Sequence, residues 1–244
     1  MKKLFPPISI GILCASFTIV PAPVDNRSDN TAVIHAGINK SPSLPIESSR
    51  FIYEEANLQQ YGLSEETFDY AWKGYRQLLE KKMITRNDYL TICDFGQSSA
   101  KKRLYIINMI ENRLIINTYV AHGKNSGGEF ATAFSNKPES LQTSLGFYIT
   151  QSTYTGNHGL SLRINGIEPG INDNAMQRTI VIHGAAYVDE ARARQGIFMG
   201  RSFGCPAVPI DESVKIINTI KNGTCLFIYH PSRNYLHGSK ILNG

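Results

Sequence analysis

Thr179-Ile180-Val181-Ile182-His183-Gly184 and, further along, Gly200-Arg201-Ser202-Phe203-Gly204-Cys205-Pro206-Ala207-Val208 decide how this chain is read. The first stretch is a short apolar run that ends on a histidine. The second sets a cysteine in a Gly-bounded turn ahead of a helix-like stretch, Asp211 to Lys221. A cysteine held as a thiolate, with a histidine at a strand end aimed at it, makes a nucleophile and its base. The competing reading is a buried structural cysteine near an unrelated histidine, since free cysteine is among the most buried residue types. Local chemistry favours catalysis. A free thiol titrates near about 8.5 and attacks poorly when neutral, so it needs a partner such as His183. A turn or helix starting after Pro206 would add its dipole. Ser202-Phe203-Gly204-Cys205 places successive backbone N–H groups around the nucleophile, and Gly204 permits the backbone angles of a donor nest for an oxyanion.

Working outward, the runs Tyr89 to Phe95, Leu104 to Ile110, Leu114 to Val120, Leu145 to Thr150, Leu160 to Ile164 and Thr224 to Tyr229 also read as strands. Glu111-Asn112-Arg113 reads as a hairpin turn. Strands do not alternate with helices and no Gly-rich phosphate loop appears, which argues against a parallel nucleotide-binding sheet. The expected architecture is mainly β, a β-sandwich or open barrel over residues 89–244, with an N-terminal helical appendage over 50–88. In that appendage Ser64 is an N-cap, and Glu65 and Glu66 occupy the first turn, where the dipole favours anions. Phe68, Ala71, Trp72, Tyr75, Leu78 and Leu79 recur at helical spacing, and Lys81 and Lys82 close the helix. This face is expected to pack on the main domain; Trp72 and Tyr75 as a ligand platform is the alternative.

The chain has 244 residues, 42% of them hydrophobic, enough for a substantial core. Residues 1–22 read as an export signal: Lys2 and Lys3, an apolar run from Ile8 to Val20, then small residues near Ala22. Residues 23–49, rich in Pro, Ser, Asn and Asp, read as a flexible linker. The expected location is therefore the periplasm or cell envelope, with no integral membrane segment once the signal is removed; Pro23 after Ala22 leaves the cleavage site open, and an uncleaved anchor is the alternative. After the signal, Cys93, Cys205 and Cys225 remain, an odd number that leaves at least one thiol free. Whether Cys93 and Cys225 pair stays open. The net charge of +5 comes with no Lys/Arg block and no aromatic interleaving, so nucleic acid is not an expected partner.

The remaining histidines rank lower. His122, in Ala121-His122-Gly123, is either a loop residue or part of the same cleft. His158 lies in a Gly-rich loop and is a candidate substrate contact; His230 and His237 read as surface residues. A zinc site from His158, His183 and Cys205 finds no support in any recognised ligand spacing, and neither metal nor cofactor is expected.

His183-Gly184 followed by Ser202-Phe203-Gly204-Cys205 resembles the hallmark of the L,D-transpeptidase (YkuD-like) family, in its murein L,D-transpeptidase catalytic domain branch. Ala121 to Gly127, Phe134 to Ser140, Ser144 to Tyr148 and His158 to Arg163, running on to Asn172-Asp173, resemble the same branch, so the likeness spans roughly residues 90–231. The resemblance implies a cysteine acyltransferase acting on peptidoglycan stem peptides. Cys205 would attack the third-residue carbonyl of a tetrapeptide stem and release D-alanine. The acyl group would then pass to an amine, giving a 3–3 crosslink or protein attachment. Transfer to water, as in a cysteine peptidase or L,D-carboxypeptidase, is the alternative. The resemblance also implies a histidine oriented by a backbone carbonyl rather than a carboxylate, and the Gly204 and Cys205 N–H groups as the oxyanion donors. Ser202, Arg201, Gly184 and His158 are the expected substrate contacts. Two departures stand out: Phe203 replaces a second histidine common in the family, and Pro206-Ala207 stand where an arginine usually follows the cysteine. Arg201 is the candidate replacement for that arginine, with a purely structural role as the equal alternative.

Overall fold

A computed structural model describes residues 48–244; the expected signal over 1–22 and nearly all of the 23–49 linker lie outside the described residues. Eight strands form one mixed sheet: β1 (Tyr89–Asp94), β2 (Leu104–Asn108), β3 (Arg113–Thr118), β4 (Gly146–Gly156), β5 (Gly159–Gly166), β6 (Val181–Gly184), β7 (Ala207–Val208) and β8 (Cys225–Tyr229). Their order is β3-β2-β1-β8-β4-β5-β6-β7, with β1–β8 and β6–β7 parallel and the other pairs antiparallel. The two ends of that order meet. Just past β3, Ala121 bridges Ala207 of β7 with backbone hydrogen bonds of 2.8 and 3.4 Å, curling the sheet almost into a barrel. Of the two expected forms, the barrel is the one present. Closure removes the exposed edge that β7, only two residues long, would otherwise present.

The strand bounds follow the sequence reading closely, with two differences. β4 runs to Gly156, continuing through residues expected to be loop, because β5 pairs with it as far as Gly159. The segment after Pro206 is strand β7, and the helix α4 (Ile210–Ile220) begins only after it. The stretch read as helical, Asp211 to Lys221, is this α4; its start, five residues beyond Cys205, lies against Gly184, so no helix dipole stands directly behind the cysteine.

The helices before the sheet, α1 (Ser49–Glu55) and α2 (Glu65–Glu80), share its hydrophobic core. Ser64 caps α2, its hydroxyl accepting from the Thr67 N–H at 3.1 Å. The apolar face of α2 lies on β1 and β8, with Phe68, Ala71, Tyr75 and Leu78 buried. Gly74 lies against the Phe147 ring, which itself stacks on Phe227 at 4.1 Å. Tyr75 is buried and donates to Asn87 O at 2.6 Å, and Trp72 stacks on it at 5.6 Å. The packing reading of that helical face holds. Cys93 and Cys225 are both free and buried on neighbouring strands, out of register, since Leu90 faces Cys225 and Cys93 faces Ile228. Among the described residues no helix is long and apolar enough to cross a membrane.

Candidate active site

Parallel pairing of β6 with β7 puts His183 beside Ala207 and Gly184 beside Val208. Cys205 lies two residues before Ala207, so the same register carries it alongside Val181. The Val181 N–H points at the Cys205 sulfur at 3.5 Å, and the thiol faces Thr179 O at 3.8 Å. Val181 and His183 sit two apart on β6 and therefore project to one face. Cys205 and His183 both line one open cavity of about 330 Å³. Thr179 reaches this arrangement with a positive φ of 53°. A left-handed β-branched residue is strained, and such strain concentrates at functional sites.

The imidazole is oriented by backbone. His183 Nδ1 lies 3.0 Å from Gly184 O. A carbonyl can only accept, so Nδ1 carries the proton and Nε2 keeps its lone pair for use as a base. Burial lowers the pKa of His183, the Gly184 hydrogen bond opposes that, and the His158 charge lowers it further. The His158 ring stacks on His183 at 4.3 Å with 24° between planes. Burial raises the Cys205 thiol, while the Val181 N–H, the Arg178 charge and the residue's own N–H pull it down. Burial is the leading effect on both groups, and it acts against the charged form of each.

The nucleophile turn is held on all sides. Ser202 Oγ donates to Cys205 O at 2.6 Å and accepts from the Gly204 N–H at 3.2 Å. Ser202 is tied to the 121–124 segment by its N–H to His122 O at 3.2 Å and by Lys124 N–H to its own carbonyl at 2.7 Å. Thr143 Oγ1 donates to Gly204 O at 3.1 Å. Gly204 has φ +119°, and a Cβ there would stand 2.8 Å from Gln142 O, so only glycine fits.

The structure sorts the sequence candidates. Cys205, His183, His158, Arg201 and Ser202 all line the cavity. Gly184 does not: it backs onto α4, where a Cβ would meet Ser213 Oγ at 2.8 Å, and its carbonyl serves His183 rather than a substrate. The Gly204 N–H, expected as an oxyanion donor, is already engaged by Ser202 Oγ. His122 lies outside the cleft. It is fully buried, 2.7 Å from Arg103 and 3.3 Å from Gly127 O, and burial with the Arg103 charge pushes its pKa down to about 4. Three cavity residues escaped the sequence reading: Tyr154, Arg178 and Tyr187. Burial pushes the Tyr187 phenol up to about 12, helped by the nearby sulfur and opposed by Arg201. The one available signal was proximity in sequence, because Arg178 and Tyr187 bracket the His183 strand. Among the described residues no group of three His, Cys, Asp or Glu side chains is placed to share a metal ion.

The curled sheet thus brings a backbone-oriented histidine and a glycine-backed cysteine to one cavity. A family model described as the L,D-transpeptidase catalytic domain matches residues 59–229, and the chain belongs to that family. No curated protein matches the chain. Among solved structures it is similar to an L,D-transpeptidase from Mycobacterium smegmatis, at 10% identity over 59% of each chain with a TM-score of 0.36. It is likewise similar to L,D-transpeptidase 3 from Mycobacterium tuberculosis, at 10% identity over 59% of this chain and 61% of that one, with a TM-score of 0.38. The chain thus spans about three-fifths of the length of these structures.

Proposed function

We propose that the protein is an exported L,D-transpeptidase of the cell envelope, acting on peptidoglycan tetrapeptide stems with Cys205 as nucleophile and His183 as base. One observation carries the reading: Cys205 and His183 face one cavity, with His183 Nδ1 anchored so that Nε2 is the basic nitrogen. His183 Nε2 takes the thiol proton as sulfur attacks the third-residue carbonyl. The tetrahedral oxyanion collapses, the C–N bond to D-alanine breaks, and His183 returns the proton to the leaving amine. An acceptor amine then attacks the thioester, His183 takes its proton, and that proton ends on the departing sulfur. With Gly204 N–H engaged, the Cys205 N–H beside its own sulfur is the backbone donor for the oxyanion.

Incubation of the protein with purified tetrapeptide stems, read by mass spectrometry, tests this. Crosslinked dimers with release of D-alanine are expected from the wild type. Cys205→Ala should abolish them, and His183→Gln should lower the rate by about 10²- to 10⁴-fold. Tripeptide as the sole product would mean that water is the acceptor, and activity surviving Cys205→Ala would remove the nucleophile assignment altogether.

A further inference from the structure

Arg178 sits at the entry to β6 and lines the cavity together with Cys205. Its Nη1 donates to Ser135 O at 2.7 Å and to Ser144 Oγ, and its Nη2 donates to Gln142 O and to Ser140 Oγ at 3.3 Å. All four acceptors are neutral. Among the described residues Arg178 enters no ion pair, and Glu139, which shares a neighbouring groove with it, is exposed to solvent. The guanidinium lies directly against the nucleophile turn, with Nη2 3.2 Å from where a side chain on Gly204 would begin. A half-buried cation is costly to desolvate, and here no anion of the protein offsets that cost.

We propose that Arg178 is a positioning residue for Cys205: it braces the 135–144 loop under the nucleophile turn and leaves its unmatched positive charge behind the sulfur. This rests on the reading of Cys205 as nucleophile. The charge matters because the two anions of the reaction, thiolate and tetrahedral oxyanion, form at that place, where partial burial weakens solvent screening. The other titratable groups lining the cavity with Cys205 are His183 on β6, Tyr187 after it, His158 and Tyr154 on the β4–β5 hairpin, and Arg201. Arg201 is exposed, and none of these is a carboxylate. The direction in which the Arg178 charge moves the thiol, down against burial, agrees with the proposal.

The test is the pH dependence of Cys205 alkylation by iodoacetamide in the full chain, read by intact mass with Cys205→Ser as blank. Cys93 and Cys225 are fully buried and stay unlabelled in the native state, and any label on Cys14 of the full chain is carried equally by the Cys205→Ser blank. In Arg178→Gln, folded by circular dichroism, the midpoint of the alkylation profile should move up by about 1 pH unit or more. Acylation by a tetrapeptide stem should slow about 10- to 100-fold. Arg178→Lys, which keeps the charge but not the planar fork, should recover most of the midpoint and little of the acylation rate. A folded Arg178→Gln with the wild-type midpoint overturns the proposal, as does a lysine variant indistinguishable from glutamine. Should Arg178→Gln not fold, the Ser140→Ala/Ser144→Ala double variant loosens the same guanidinium. Slower acylation at unchanged KM supports the proposal there, and an unchanged rate overturns it. Wild-type protein that alkylates with this Arg178 dependence yet never turns over a stem would sink the transpeptidase reading alone.

Discussion

Two glycines flank the chemistry for different reasons. Gly184 lets β6 lie against α4 and supplies the carbonyl that orients His183, while Gly204 takes a φ of +119° that turns Cys205 into the cavity. Gly204→Ala would have to hold a strained backbone and also displace Gln142 O, which lies 2.8 Å from the new Cβ. Misplacing a nucleophile by about 1 Å costs on the order of 100-fold in rate, so kcat should fall by that much. Stability should fall by only about 1–3 kcal/mol. Urea denaturation alongside stem-peptide turnover separates the two effects; a variant with wild-type kcat would show that the turn does not set the sulfur's position. His183, Gly184, Ser202, Gly204 and Cys205 could be singled out in the sequence, from a cysteine and a histidine in suggestive local settings and from the resemblance those residues carry. Arg178 was not, because its meaning lies in what surrounds it: four neutral acceptors from a loop some 34 to 43 residues earlier in the chain.

At the scale of elements, α2 shows how a helix that reads as amphipathic becomes part of the barrel's core. Its periodicity, its Ser64 cap and its acidic first turn were all legible beforehand, since each is a local property. The contact that seats it was not. Gly74 would read as a weak point in a helix, costing about 1 kcal/mol relative to alanine. In the fold it lies where a Cβ would meet the Phe147 ring at 1.9 Å. Overpacking a filled core costs about 1–3 kcal/mol and a rigid ring stacked on Phe227 gives little, so the clash outweighs the gain in propensity. Gly74→Ala should therefore destabilise the protein by about 1–2 kcal/mol, measured as a lower urea midpoint at unchanged slope. A stabilised variant would mean that α2 can ride away from the sheet.

For the molecule as a whole, the buried Arg103–His122 pair ties the closing seam of the barrel together. Arg103 is fully buried, donating from Nε at 3.1 Å and Nη2 at 3.0 Å to Val120 O and from Nη1 at 2.7 Å to Gln97 O; burial pushes its pKa down to about 9. Nη2 can only donate, so His122 Nδ1 is the acceptor and the imidazole is neutral. Since the folded His122 value is about 4, below the ordinary histidine value, folding excludes a proton that the unfolded chain binds. The stability from this group is present above about 6.5 and is lost as pH falls toward 4, by up to about 3 kcal/mol. His183, also lowered by burial, adds to the same limb. Chemical denaturation across pH 4 to 7 should show stability falling with acid, with a shallower slope in His122→Gln. A flat profile would place His122 in solvent.

What the chain determined by itself is whatever depends on near neighbours: strand runs, the capped helix, the hairpin at residues 111–113, and a histidine at a strand end with a cysteine in a glycine-bounded turn. A turn, a cap or a glycine's freedom needs no distant partner, so those readings survive folding. Only the tertiary structure decided that the sheet curls until Ala121 meets Ala207, that Ala207 and Val208 pair with β6, and that Ser202 takes the Gly204 N–H. It alone decided that His122 is walled in while His158 covers His183. Each of these turns on which groups compete for the same hydrogen bond or the same buried volume, and segments distant in sequence become competitors only once the barrel has closed.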